Sequence, residues 1–170
     1  MITPEEIEVN NQVCSLLTDF HGIYQRNYGL VEIIRESIDT YKKRIGVVPE
    51  GTPMISPVSP PRLREIISSV VRFRKLADGR QIPAHPPEWC VAAVLRRQTW
   101  DGLPSLQSIV EHPALRADGT VIDQPGFDEK SGVFWLDNCS YLPIPEKPTQ
   151  EDARAAARRL LNLVSEFPFQ

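Results

Sequence analysis

The sequence predicts an α+β fold, mainly antiparallel, with about four helices and two or three β-hairpins, winged-helix-like in part. Three observations carry this expectation. Apolar residues recur at helical spacing in separated stretches near both ends and in the middle. Two short turn signals, Asn27 to Gly29 and Asp78-Gly79, each join strand-like runs. Residues 100–148 hold short alternating runs broken by glycine, proline and aspartate.

The first helix is expected over about residues 4–19. Thr3 serves as N-cap, Pro4 takes the first helical position, and Glu6 completes a capping box. Val9, Val13, Leu16, Leu17 and Phe20 share a face, and Gly22 stops the helix. A hairpin follows, with arms GIYQR and LVEIIRE and a turn supplied by Asn27 and Gly29. Residues 46–61 are proline-rich and read as an extended connection with a short strand at Met54–Ile55. Ser59 then caps a second helix that opens on Pro60 and Pro61 and buries Leu63, Ile66, Ile67 and Val70.

The run VRFRKLADGRQIP reads as a second hairpin around Asp78-Gly79. Val71, Phe73 and Leu76 are expected to face Ile82, leaving Arg72, Arg74 and Lys75 outward. Pro86 and Pro87 start a third helix with Val91, Val94 and Leu95 inward. Beyond it, LQSIVEH, LRADGTVI and GVFWL are strand-like, with turns around GFDEK. The last helix starts at Thr149 with Asp152 at N3, places Ala153, Ala156, Leu160, Leu163 and Val164 on one face, and is ended by Pro168. The parts are therefore 1–45 (helix and hairpin), 46–61 (connection), 62–142 (basic helix-hairpin-helix and strand-rich part) and 143–170 (linker and helix), forming one compact unit.

A chain of 170 residues fits one domain or two very small ones. With 41% hydrophobic residues it can bury a core, which excludes a disordered tail. No apolar run approaches the ~18 residues that span a bilayer. The start, MITPEEIEV, is acidic and lacks the features of a signal peptide, so a cytoplasmic location is expected. Cys14, Cys90 and Cys139 lie far apart and read as free thiols of a reducing compartment.

Catalytic signatures are missing from the sequence, and no enzyme activity is expected of this chain. His21, His85 and His112 stand alone beside turn residues, without metal-ligand spacing, so neither metal nor cofactor is expected. No nucleophile elbow or phosphate-binding glycine loop occurs. Asp123, Asp128 and Glu129 sit in turn-rich sequence, where aspartate serves local backbone hydrogen bonds. An uncharacterised enzyme built on Asp123, Asp128 and His112 is the weakest reading.

Charge is more informative than motifs. Residues 1–61 hold 5 basic and 8 acidic side chains, residues 62–97 hold 8 and 3, and residues 98–170 hold 6 and 11. The middle is locally positive within a chain of net charge −3, and binding responds to local potential. Arg72, Arg74, Lys75 and Arg80 on the second hairpin, with Arg96 and Arg97 at a helix end, suit phosphate contacts. Tyr24, Arg26 and Tyr28 on the first hairpin add candidates for stacking on bases. The plainer reading is a solvated face, with Arg96 and Arg97 complementing a helix dipole and the aromatics, including Trp89, Trp100 and Trp135, packed inside.

Several short motifs occur in a particular order. They are P-P-E-W at 86–89, L-P-x-L at 103–106, I-V-E-H-P-x-L-R-x-D-G at 109–119, P-G-F-D at 125–128, E-D-A-R at 151–154 and F-P-F at 167–169. With the Y-Q-R hairpin before them, they span nearly the whole chain. The order resembles the segment that precedes the helicase-type ATPase in phage- and plasmid-type primase-helicase replication proteins. The resemblance implies a non-catalytic replication module that binds or positions DNA beside a helicase motor. Members of that family continue past F-P-F into a P-loop ATPase, and no position here matches its catalytic residues. An excised domain or a stand-alone relative is expected. The rival reading is an interaction or oligomerisation module, in which the acidic C-terminal part and the Phe167–Phe169 end dock on a motor domain or a neighbouring subunit.

Overall fold

A computed structural model describes residues 4–35, 51–137, 145 and 147–165. Thr3, Cys139, Pro168 and the Phe167–Phe169 end lie outside the described residues. Helix α1 spans Pro4–Leu17. Val13, Cys14 and Leu17 are buried and Val9 and Phe20 are half-buried, while Leu16 stays exposed. The buried stripe is thus narrower than the sequence suggests, because Leu16, on one flank of α1, is left exposed.

Strands β1 (Ile23–Arg26) and β2 (Gly29–Arg35) form the first hairpin, and β3 (Pro53–Pro57) pairs with β2 to complete an antiparallel sheet. The turn residues are Asn27 and Tyr28, at φ of +47° and +62°, not Asn27 and Gly29. Two left-handed central residues make the hairpin turn whose twist matches the strands. Arg26 opposes Gly29, which starts β2.

Helix α2 (Pro60–Val70) begins at Ser59, whose hydroxyl accepts from the Arg62 amide, as the sequence indicates. Strands β4 (Arg74–Ala77) and β5 (Arg80–Pro83) form the second hairpin. Helix α3 spans Glu88–Leu95. Helices α1, α2 and α3 close over Ile23 and Leu30 of the first sheet, with Trp100 and Leu103 completing the core. In the chain, the second hairpin falls between two helices of this cluster.

Successive strand residues point to opposite faces, and here both faces are covered. Leu30 joins the helical core, whereas Tyr24 and Val31 join a second cluster with Leu106, Phe127 and Phe134. That second layer is a small sheet of β6 (Ser108–Val110), β10 (Val133–Trp135) and β9 (Gly126–Asp128). Strands β7 (Ala114–Leu115) and β8 (Val121–Ile122) make a separate hairpin. The GFDEK segment, which the sequence sets between turns, supplies β9. β10 runs parallel to β6 and antiparallel to β9, so one parallel pair enters a mainly antiparallel α+β fold.

Helix α4 spans Gln150–Val164 and carries the expected capping box between Thr149 and Asp152. None of its residues is buried. Its apolar stripe, legible in the sequence, remains open. No described helix is long and apolar enough to cross a membrane.

Candidate nucleic-acid interface

The β4–β5 ribbon is shaped by its turn. Asp78 and Gly79 adopt φ of +49° and +74°, which closes the hairpin in two residues and sets Ala77 opposite Arg80. That register places Lys75 opposite Ile82 and Arg74 opposite Pro83. Lys75 and Arg80 therefore share one face, and Arg74 lies on the other with Leu76 and Gln81. Leu76 does not face Ile82 as the sequence suggests. The two lie on opposite faces, at 75% and 38% exposure.

The root of the ribbon is anchored. Val71 and Phe73 pack against the helical core, and the Ala84 amide donates to the Phe73 carbonyl at 2.9 Å. Beyond that root, β5 is exposed throughout and β4 up to Ala77. Arg72, Arg74, Lys75 and Arg80 are exposed and form no ion pair or side-chain hydrogen bond among the described residues.

Other cations are already engaged. Arg62 binds Glu32 at 3.0 Å and Glu65 at 2.7 Å, joining α2 to the first sheet. Arg97 donates to Asn11 Oδ1 at 2.6 Å and to Cys14 Sγ at 3.3 Å, tying the end of α3 to α1. Arg97 is thus a fold-supporting residue rather than a free phosphate contact. Arg116 holds Asp128 through Nη2 at 2.7 Å. Arg96, at the C-cap of α3, lines a groove between α2 and α3 together with Arg64. The sequence reading missed Arg64; its only signal was membership in the basic segment.

The first hairpin departs from expectation. Tyr24 is only 6% exposed, and its ring sits 5.4 Å from Phe127 and 6.0 Å, edge-on, from Phe134. It joins two layers and presents no face to a base. Tyr28, raised on the turn, is 78% exposed, and Arg26 is half-buried. Gln25, unremarked in the sequence, organises the neighbouring loop. Its Nε2 donates to the carbonyls of Trp100 at 3.1 Å and Leu103 at 2.6 Å, and its Oε1 accepts from the Trp100 amide at 3.2 Å. Trp100 and Trp135 are buried as expected, but Trp89 is 40% exposed.

Of the side chains that a catalytic reading names, Asp128 is engaged within the fold. Asp128 accepts from Arg116 and from the hydroxyl and amide of Ser131, which hold its carboxyl well below the usual carboxylate range. Asp118 caps the β7–β8 turn through Thr120. Burial raises the Cys14 thiol and pushes Cys90 up to about 11, so both are protonated, poor nucleophiles near neutral pH. Among the described residues no three metal-ligating side chains converge. No family model, no curated protein and no solved structure matches this chain.

Proposed function

We propose that this chain is a non-catalytic module of a phage- or plasmid-type DNA replication protein that binds or positions DNA through the β4–β5 ribbon. One observation carries the reading. A two-stranded ribbon stands clear of the core with cations on both faces, none of them engaged by the described protein. A ribbon charged on both faces suits a groove lined by two phosphate backbones. The major groove of DNA admits a two-stranded ribbon. Contacts of this kind give affinity with little sequence choice. The ordered motifs from P-P-E-W to F-P-F supply the replication context, with an adjoining helicase-type ATPase as the protein partner.

The test is a fluorescence-anisotropy titration of single- and double-stranded DNA at two salt concentrations. Wild-type protein should bind and weaken as salt rises. Replacing Arg74, Lys75 and Arg80 together by alanine should flatten the log–log salt slope by about 0.9 for each lost duplex contact. Absence of binding at low salt, or binding unaltered by the triple substitution, overturns the reading.

A further inference from the structure

The β4–β5 ribbon sorts its exposed side chains by chemistry as well as by face. The register sets Leu76 opposite Gln81 and Arg74 opposite Pro83, so Arg74, Leu76 and Gln81 share one face. Lys75, Arg80 and Ile82 share the other, with Lys75 on β4 and Arg80 on β5. Leu76 is 75% exposed, and neither Arg74 nor Gln81 forms an ion pair or side-chain hydrogen bond among the described residues. Neither strand carries an aromatic side chain. Asp78, the carboxylate of the ribbon, lies in the turn, where a left-handed backbone suits aspartate.

The two sets suit different parts of duplex DNA. In the major groove arginine pairs with guanine O6 and N7, glutamine pairs with adenine N6 and N7, and an apolar side chain packs on the thymine methyl. All three kinds occur on the Arg74 face. Gln81 is uncharged and both donates and accepts, a capacity that a base edge uses and a phosphate does not. Lys75 and Arg80 project from different strands, so each is placed for one of the two backbones beside the groove. The dimensions agree. The groove is about 12 Å wide and paired strands lie about 4.8 Å apart, which leaves room for side chains at both edges. Arg74 and Leu76 are separated by about 6.6 Å along the strand, close to two base-pair steps of about 3.4 Å. Single strands are held on aromatic stacking platforms instead, and the ribbon has none.

We infer that the ribbon reads duplex sequence, with Arg74, Leu76 and Gln81 on the base edges of the major groove and Lys75 and Arg80 on the flanking backbones. The inference rests on the DNA-binding reading above and adds sequence choice to it. Leu76 and Gln81 are direct cross-strand neighbours, so together they select A·T pairs. Arg74 selects a G·C pair about two steps away. Phosphate contacts alone leave all sequences equivalent. The Arg74 face removes that equivalence.

Selection from a randomised duplex library with the full chain tests the inference. Wild-type protein should enrich a motif of A·T pairs with a G·C pair about two steps away. Fluorescence anisotropy on the selected duplex and on a scrambled duplex then separates the roles. Gln81→Ala should weaken the selected duplex roughly 5- to 150-fold, leave the scrambled one unchanged and keep the salt slope, because glutamine carries no charge. Lys75→Ala should weaken both duplexes alike and lower the slope by about 0.9. Both side chains are exposed, so circular dichroism should report the wild-type fold for each variant. A wild type that binds duplexes without enriching any motif overturns the inference and leaves the DNA-binding reading standing. Equal losses on both duplexes for Gln81→Ala, or tighter binding to single strands than to duplex, also overturn it. Absence of binding to any DNA at low salt removes the inference together with the reading beneath it.

Discussion

The two early hairpins share a design and end in opposite circumstances. Both turn in two residues with positive φ, at Asn27–Tyr28 and at Asp78–Gly79. Both carry arginine and apolar side chains on their arms. The first is enclosed: β3 extends it, the helices cover one face, and Phe127 and Phe134 cover part of the other. Among the described residues the second gains no third strand, and only its root touches the core. Turn chemistry therefore decides that a hairpin forms, and neighbours decide what it presents. The aromatic of the enclosed hairpin becomes a core residue, and the cations of the open one stay available.

That contrast can be broken or sharpened by substitution. The largest effect should come from Tyr24→Ala, which removes a buried ring joining two layers. Loss of a buried aromatic costs about 3–5 kcal/mol, read from urea unfolding. A cost below about 1 kcal/mol would mean that the two sheets are not packed through Tyr24.

Asp128→Asn should have an intermediate effect that depends on pH. Arg116 and then Ser131 hold the Asp128 carboxyl below its ordinary value in the folded state. A depressed carboxyl stabilises the fold above its unfolded pKa of about 3.9 and loses that contribution as pH falls toward the folded value. The wild-type melting temperature should therefore fall steeply on acidification below about pH 4. The variant should start lower at pH 7 and show a shallower fall. Parallel curves for the two proteins would separate β9 from this ion pair.

The smallest effect on stability is expected from Leu76→Ala on the open hairpin. The side chain is 75% exposed, and such substitutions stay within about 0.5 kcal/mol. A cost near that of Tyr24→Ala would show that the second hairpin is covered in solution, and the proposed DNA surface would lose its basis.

Much of the local structure was legible. Helix starts at Ser59 and Thr149 follow from a side chain that can satisfy free backbone amides, which is a short-range matter. The ribbon was legible through Asp78-Gly79 for the same reason. Its cations could be named as exposed because long charged side chains resist burial. The sequence did not separate Arg97 from Arg96, although the two are adjacent. Their difference lies in Asn11 and Cys14, more than eighty positions earlier. Gln25 was missed because an amide side chain has no pattern until Trp100 and Leu103 are brought to it.

By itself, then, the sequence determined the α+β class, the helix caps at Ser59 and Thr149, the Asp78-Gly79 turn and the local excess of positive charge. Each depends on residues within a few positions of one another, or on composition alone. Tertiary structure decided that Tyr24 is core, that Arg62, Arg97 and Arg116 are engaged, that β10 runs parallel to β6, and that α4 keeps its apolar face open. Those outcomes depend on which distant segments meet, and the free energy of burial or pairing belongs to the meeting rather than to either segment.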